Sequence, residues 1–203
     1  MKTLRIYPSS INSRYIDEVV DVLRDGGIII YPTDSLYAIG CDALNNSAVE
    51  RICKIKGINP AKEFLSIVCS DISMASEYAR IDNEAFRILR ANLPGPFTFI
   101  LPASTKLPKV FKGRRTVGVR IPDNAIAREI AASLGHPVLT TSIRWDSDIP
   151  DDGCEPLAIA TRYEADADLM IDGGTGEIIP STIVDLLDSS SPEITREGKG
   201  ELK

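Results

Sequence analysis

The stretch Gly26-Gly27-Ile28-Ile29-Ile30-Tyr31-Pro32-Thr33-Asp34-Ser35 decides the fold. Four consecutive apolar residues leave no polar side, so a strand over Ile28–Tyr31 must be covered on both faces, as in the interior of an α/β sheet. Pro32 ends the strand by removing a ladder donor. Upstream, Ile16, Val19, Val20 and Leu23 recur at helical spacing, and Gly26-Gly27 stops that helix. Thr33-Asp34-Ser35 therefore follows directly from a strand end, where open α/β sheets place their ligands, and is expected to form part of a working rim.

Working outward, Thr3–Tyr7 reads as a short strand, and Ser47-x-x-Glu50 has the form of a capping box opening a helix through about Lys56. Leu65–Cys69 is a buried-type strand. Asp82 caps a helix with Phe86 and Leu89 inward, terminated by Pro94-Gly95. Phe97–Leu101, Thr116–Ile121, Val138–Thr141, Leu169–Asp172 and Thr182–Leu186 read as strands. Ala127, Ile130, Ala131 and Leu134 form a helical stripe stopped by Gly135. Asp146–Glu155 is polar, carries Pro150 and Gly153, and is expected to be an exposed, mobile loop. Strands that alternate with helices early and cluster late predict an α/β architecture with a twisted mixed sheet flanked by helices. Residues 1–203 are read as one domain.

Composition narrows the function classes. With 43% hydrophobic and 26% charged residues the chain is ordinary globular protein. No apolar run approaches the ~20 residues that span a bilayer, and Met1–Ile6 runs straight into a strand without the apolar core of a signal peptide. A soluble, cytoplasmic protein with no membrane partner is expected. The net charge of -6 weighs against a general nucleic-acid binder while permitting a local basic concavity. Cys41, Cys53, Cys69 and Cys154 show no C-x-x-C spacing, and His136 is the single histidine, so no metal site is expected and the thiols are read as buried and reduced. His136, at a helix-to-strand junction, is a poor general base. No nucleophile–base pair is suggested.

Four strand ends carry small hydroxyls or a cation: Thr33 and Ser35; Arg120 in Val117-Gly118-Val119-Arg120-Ile121-Pro122; Thr140-Thr141-Ser142; and Ser181-Thr182. Hydroxyls at turns commonly serve only local hydrogen bonds. Arg120 is different, because a guanidinium in an apolar strand needs an anionic partner once buried. That partner is either a ligand carboxylate or phosphate, or an internal carboxylate. The glycines of Asp172-Gly173-Gly174-Thr175-Gly176 lack the lysine and spacing of a phosphate loop and read as a turn.

Taken together, Gly26–Ala43, Arg51–Gly57, Leu93–Leu101, Val117–Pro122, Pro137–Ser142, Pro180–Leu186 and Thr195–Gly198 resemble, in order, the YrdC/YciO family, which includes the threonylcarbamoyl-AMP synthases. The length is similar to that of short members without a further C-terminal domain. The resemblance implies a YrdC-like fold with a concave ligand-binding face. It also implies formation of threonylcarbamoyl-adenylate from L-threonine, bicarbonate and ATP with release of pyrophosphate, for tRNA modification. By position, Thr33, Tyr37, Arg120 and Ser181 would hold threonine. Lys56, Thr141, Ser142 and Arg196 would face the nucleotide, and Mg2+ would accompany ATP without a dedicated protein site. Such a reaction needs alignment and charge stabilisation more than a protein nucleophile.

The chain departs from the synthase pattern in three places. Ile58 stands where synthases carry an arginine, Ser142-Ile143-Arg144 replaces Ser-x-Asn, and Cys69 replaces a histidine. Loss of one charge-assisted contact at a leaving group costs on the order of 2–4 kcal/mol; Arg144, Lys62 and Arg114-Arg115 are the candidates to offset it, which sequence alone does not show. These departures resemble the YciO branch. Three readings stay open: a synthase, a related nucleotide-dependent enzyme with another substrate, and a double-stranded RNA- or ribosome-binding protein that kept the basic concavity without efficient chemistry.

Overall fold

The structure, a computed structural model, describes residues 1–60, 62–63, 65–108, 111, 115–143 and 151–203. In chain order its elements are β1 (Lys2–Arg5), α1 (Ser13–Arg24), β2 (Ile29–Tyr31), β3 (Ala38–Asp42), α2 (Asn46–Lys56), β4 (Ser66–Val68), α3 (Ile72–Tyr78) and α4 (Asn83–Asn92). There follow β5 (Phe97–Pro102), β6 (Thr116–Arg120), α5 (Ala125–Leu134), β7 (Val138–Ser142), α6 (Asp151–Cys154), α7 (Pro156–Arg162), β8 (Leu169–Asp172), β9 (Thr182–Asp185) and β10 (Glu193–Arg196). These strands form one mixed sheet in the order β1-β8-β2-β3-β7-β4-β6-β5-β9-β10. The expected α/β class with a mixed sheet is what the structure shows.

The two sides of the sheet are covered unequally, and this creates the site. Ile29 and Tyr31 pack with Leu4, Val138 and Ile171 against Ile16, Val19 and Leu23 of α1 and Ile126 and Ile130 of α5. Ile28 and Ile30 face the other way, into a core that also holds Ile52 of α2, Leu89 of α4, Phe97, Phe99, Val117 and Val119. The apolar run Ile28–Tyr31 is thus buried on both faces, as its composition requires. The layer under α1 and α5 contains no residue of β4, β5, β6 or β9. On that face these strands carry small polar side chains, with Arg120 and Ile183 beside them.

Register fixes which ones. Ser66 pairs with Thr140 on one side and Gly118 on the other, and Thr140 lies two residues from Val138 of the α1–α5 layer. Thr98 alternates with Phe97 and Phe99, which belong to the opposite core, and it pairs with Ile183. A Cβ on Gly118 would lie 2.5 Å from Ser66 Oγ and 3.0 Å from Thr98 Cγ2. Only glycine lets these hydroxyl side chains close over the strand.

Several helix ends differ from the sequence reading for local reasons. Helix α2 is capped by Asn45, whose side chain accepts from the Ala48 amide at 3.1 Å, rather than by Ser47. Helix α4 begins at the expected cap, Asp82, but turns Ala85 and Leu89 inward and leaves Phe86 42% exposed. The inward stripe follows i, i+4 from Ala85, about one residue's rotation from the expected one. Gly135 ends α5 at φ 83°, the left-handed cap expected of it. In the expected loop Asp146–Glu155, residues 144–150 lie outside the described residues, and Asp151–Cys154 is a helical turn rather than irregular chain.

Candidate functional site

The uncovered face opens into a cavity of about 350 Å³. Ser66 of β4, Thr98 of β5, and Thr140 and Ser142 of β7 contribute to its floor, with Ser181 and Ile183 at one side. Thr98 and Ser181 share a hydrogen bond at 3.0 Å. Thr140 accepts one at 2.8 Å from the hydroxyl of Tyr31, which sits behind the floor. Burial pushes the Tyr31 phenol up to about 12, with the bond to Thr140 opposing the shift. No histidine or cysteine lines the cavity among the described residues.

Charge concentrates at the walls. Arg120, Arg196 and Lys62 line the cavity together with one carboxylate, Glu63, in a chain whose net charge is -6. Arg196 donates to the Ser181 carbonyl from Nη2 at 2.7 Å and to Ser181 Oγ at 3.2 Å. Partial burial, followed by the nearby charge of Arg120, holds the Arg196 pKa below the usual arginine value. Two like charges converging on a polar floor favour an anionic guest, which relieves their repulsion.

Arg120 has an internal carboxylate partner. Its side chain is buried, and Nη2 lies 3.1 Å from Asp34 Oδ1, 2.8 Å from Ser35 Oγ and 3.5 Å from Thr33 Oγ1. The internal carboxylate is Asp34, whose Oδ2 also accepts from the Asp123 amide at 2.7 Å. Asp34 and Ser35 therefore do more than shape a turn; they hold the guanidinium. Arg120 Nε is buried without a hydrogen-bond partner, leaving one donor of a cavity-lining residue unused.

Of the expected site residues, the cavity brings together Arg120, Ser181, Thr141, Ser142 and Arg196. Thr33, Tyr37 and Lys56 lie outside its lining. Thr33 faces an adjoining pocket with Asp34, Gly173 and Lys199, and its hydroxyl donates to the Leu36 carbonyl at 2.7 Å while accepting from the Ser35 amide. Tyr37, expected in the threonine pocket, instead donates to the Gly174 carbonyl at 2.7 Å and accepts from the Gly173 amide at 3.0 Å. It braces the glycine turn, and burial raises its pKa to about 12. Lys56 is buried at the end of α2 and donates from Nζ to the carbonyl of Ser142. It touches the cavity through the backbone of a lining residue.

The departures from the synthase pattern have structural counterparts. Ile58 follows the left-handed Gly57 cap, its amide bonding to the Cys53 carbonyl at 2.9 Å, and its side chain both packs on the core and lines the cavity. The residue after a glycine cap is commonly apolar for this packing. Ile143 and Cys69 are buried; Arg144, Lys109, Lys112 and Arg114 lie outside the described residues. Cys41, Cys53 and Cys69 are buried free thiols, whereas Cys154 is half-buried. Thr98 escaped the sequence reading because it sits inside β5, and Ser66 because it opens β4 within a run read simply as a buried strand. A hydroxyl interrupting an apolar strand, as in Phe97-Thr98-Phe99, was the available signal.

Residues 21–198 match the Sua5/YciO/YrdC family model, described as telomere recombination. The chain belongs to the Sua5/YciO/YrdC family. It is 41% identical over 197 residues to an uncharacterized protein of Haemophilus influenzae, covering 96% of this chain and 94% of that one. To the uncharacterized protein YciO of Escherichia coli K12 it is 38% identical over 200 residues, covering 98% and 96%. The E. coli YciO crystal structure superposes with a TM-score of 0.89 at 37% identity over 99% of this chain and 98% of that one. P. abyssi Sua5 complexed with L-threonine superposes with a TM-score of 0.84 at 25% identity, covering 98% of this chain and 58% of Sua5. Among the described residues no helix is long and apolar enough to cross a membrane.

Proposed function

We propose that this chain is a threonylcarbamoyl-AMP synthase-like enzyme acting in the cytoplasm on L-threonine, bicarbonate and ATP. The observation that carries this reading is the pairing of Arg120, whose Nε is an unused buried donor, with Arg196 across a floor of hydroxyls. The likeness to a Sua5 structure holding L-threonine supports the amino-acid assignment. In this reading Arg120 receives the threonine carboxylate, with Ser181 beside it; the amine attacks the bicarbonate carbon, one carbon–oxygen bond breaks, and that oxygen leaves as water with an amine proton, giving a carbamate. A carbamate oxygen then attacks the α-phosphorus of ATP, the bond to the β-phosphate breaks, and pyrophosphate leaves. Arg196, with Lys56 behind Ser142, stabilises the charge that develops on the leaving group, which is the main task of a protein in such a transfer. Thr141 and Ser142 orient the nucleotide. Mg2+ enters with ATP, held chiefly by the phosphates.

Ile58 favours a second reading, because it gives the cavity an apolar wall near the expected phosphates. In that case the same concavity binds RNA, tRNA or a duplex segment, and efficient synthesis is absent.

The test supplies purified protein with ATP, L-threonine and bicarbonate and measures pyrophosphate release. Threonine-dependent release that falls at least tenfold in Arg196→Ala and Ser181→Ala supports the enzyme. Dependence on another amino acid replaces threonine as substrate. No turnover, together with RNA binding that weakens steeply with salt, overturns the enzyme in favour of the second reading.

A further inference from the structure

The segment after β10 does not trail away from the fold; it doubles back and is fastened. The Lys199 amide donates to the Pro180 carbonyl at 2.9 Å, and the Thr182 side chain supplies the side-chain part of the fastening. Its Oγ1 accepts from the amides of Gly198 at 3.1 Å and Gly200 at 3.0 Å and donates to the Gly200 carbonyl at 2.6 Å. That uses the full capacity of a hydroxyl, one donor and two acceptor positions. Thr182 is 1% exposed and pairs with Phe97, a residue of the core on the far side of the sheet from the cavity. Ser181 and Ile183, its neighbours, line the cavity. The clasp therefore grips the chain from behind the site wall.

Both glycines are needed for this fit. A Cβ on Gly198 would come within 2.3 Å of the Pro180 carbonyl oxygen, and one on Gly200 within 2.6 Å of the Phe97 ring. The clasped segment has functional groups on either flank. Before it, Arg196 lies against Ser181 in the cavity. Within it, Lys199 donates to the Asp34 carbonyl at 3.1 Å and pairs with Glu177 at 2.8 Å, tying the segment to the turn that holds Arg120.

We propose that Thr182 is a positioning residue, whose hydroxyl seats the 197–200 segment so that Arg196 is held over the cavity and Lys199 against the Asp34 turn. The assignment rests on the nucleotide reading above for what Arg196 contacts. The fastening itself stands on the geometry.

Thr182→Val keeps the shape and removes all three bonds; Thr182→Ser keeps them. Gly198→Ala disturbs the same seat without touching Thr182. Amide hydrogen exchange is read at Gly198 and Gly200, and affinity is read for ATP and L-threonine separately. Thr182→Val and Gly198→Ala are expected to accelerate exchange at both amides and weaken ATP binding about tenfold. Thr182→Ser should restore both, and in Thr182→Val threonine affinity should fall less than ATP affinity. Adding Thr182→Val to Arg196→Ala should weaken ATP binding no further than Arg196→Ala alone, since both act through one side chain. Unchanged exchange in Thr182→Val, or additive losses in the double variant, overturns the proposal. Wild-type protein that fails to bind ATP refutes the nucleotide reading instead, and the exchange comparison then decides the role of Thr182 as the fastening of the segment.

Discussion

Asp34 and Arg120 form an ion pair at 3.1 Å with side chains 8% and 4% exposed, and this pair joins the rim turn to the cavity wall. Removing one partner of such a pair strands the other charge away from water, at a cost of about 3–5 kcal/mol. Asp34→Ala is expected to lower stability by about that amount, read as a shifted urea midpoint. The variant should recover part of the loss when an anion binds beside the stranded guanidinium. A midpoint within experimental error of wild type would mean that water reaches Arg120 freely.

Helix α2 provides a paired test of which residue caps it. Asn45→Ala removes the acceptor for the Ala48 amide and should cost about 1 kcal/mol. Ser47→Ala, at an exposed position inside the helix, should stay within about 0.5 kcal/mol of wild type. Equal losses would restore Ser47 as cap.

Alkaline pH should destabilise the protein in a defined direction. Tyr31 and Tyr37 are raised to about 12 from an ordinary value of 10, chiefly by burial, and burial also raises the Cys41 and Cys69 thiols. Each group holds its proton longer when folded, so the stabilisation is complete below the unfolded pKa and is lost as pH rises toward the folded one. Urea midpoints should fall from about pH 9, where unfolded thiols begin to ionise, and more steeply from pH 10 to 12. In Tyr37→Phe the slope between pH 10 and 12 should flatten by up to about 1.4 kcal/mol per pH unit. An unchanged slope would show that Tyr37 ionises equally in both states.

What the sequence revealed and concealed follows from how locally each feature is encoded. The doubly apolar run Ile28–Tyr31, the Asp82 cap and the Gly135 stop are short-range signals, and each appears where expected. Strand β3 reads poorly because Ala38, Gly40 and Cys41 are small and weakly patterned, although all are buried. Strand β10 was missed because all four of its residues are exposed, so its place rests on pairing with β9 rather than on burial. At the site, strand-end hydroxyls and Arg120 were legible as chemistry in unusual positions. The partner of Arg120 was not, since Asp34 lies 86 residues away along the chain. The Thr182 clasp was equally hidden, its contacts being 16 and 18 residues distant and made to backbone atoms that no side-chain pattern announces.

The uneven cover of the sheet has a consequence for how this protein can change. Its rigidity is vested in the two apolar layers, neither of which includes the hydroxyls that floor the cavity. The charged groups come from the turn after β2, the end of β6, the stretch after α2 and the last strand. An ancestral guest could therefore be exchanged for a new one by altering a few peripheral side chains, Ile58 among them, while the scaffold's folding free energy stayed nearly constant. Descendants of one such scaffold can share almost superposable backbones and still differ in what they transform.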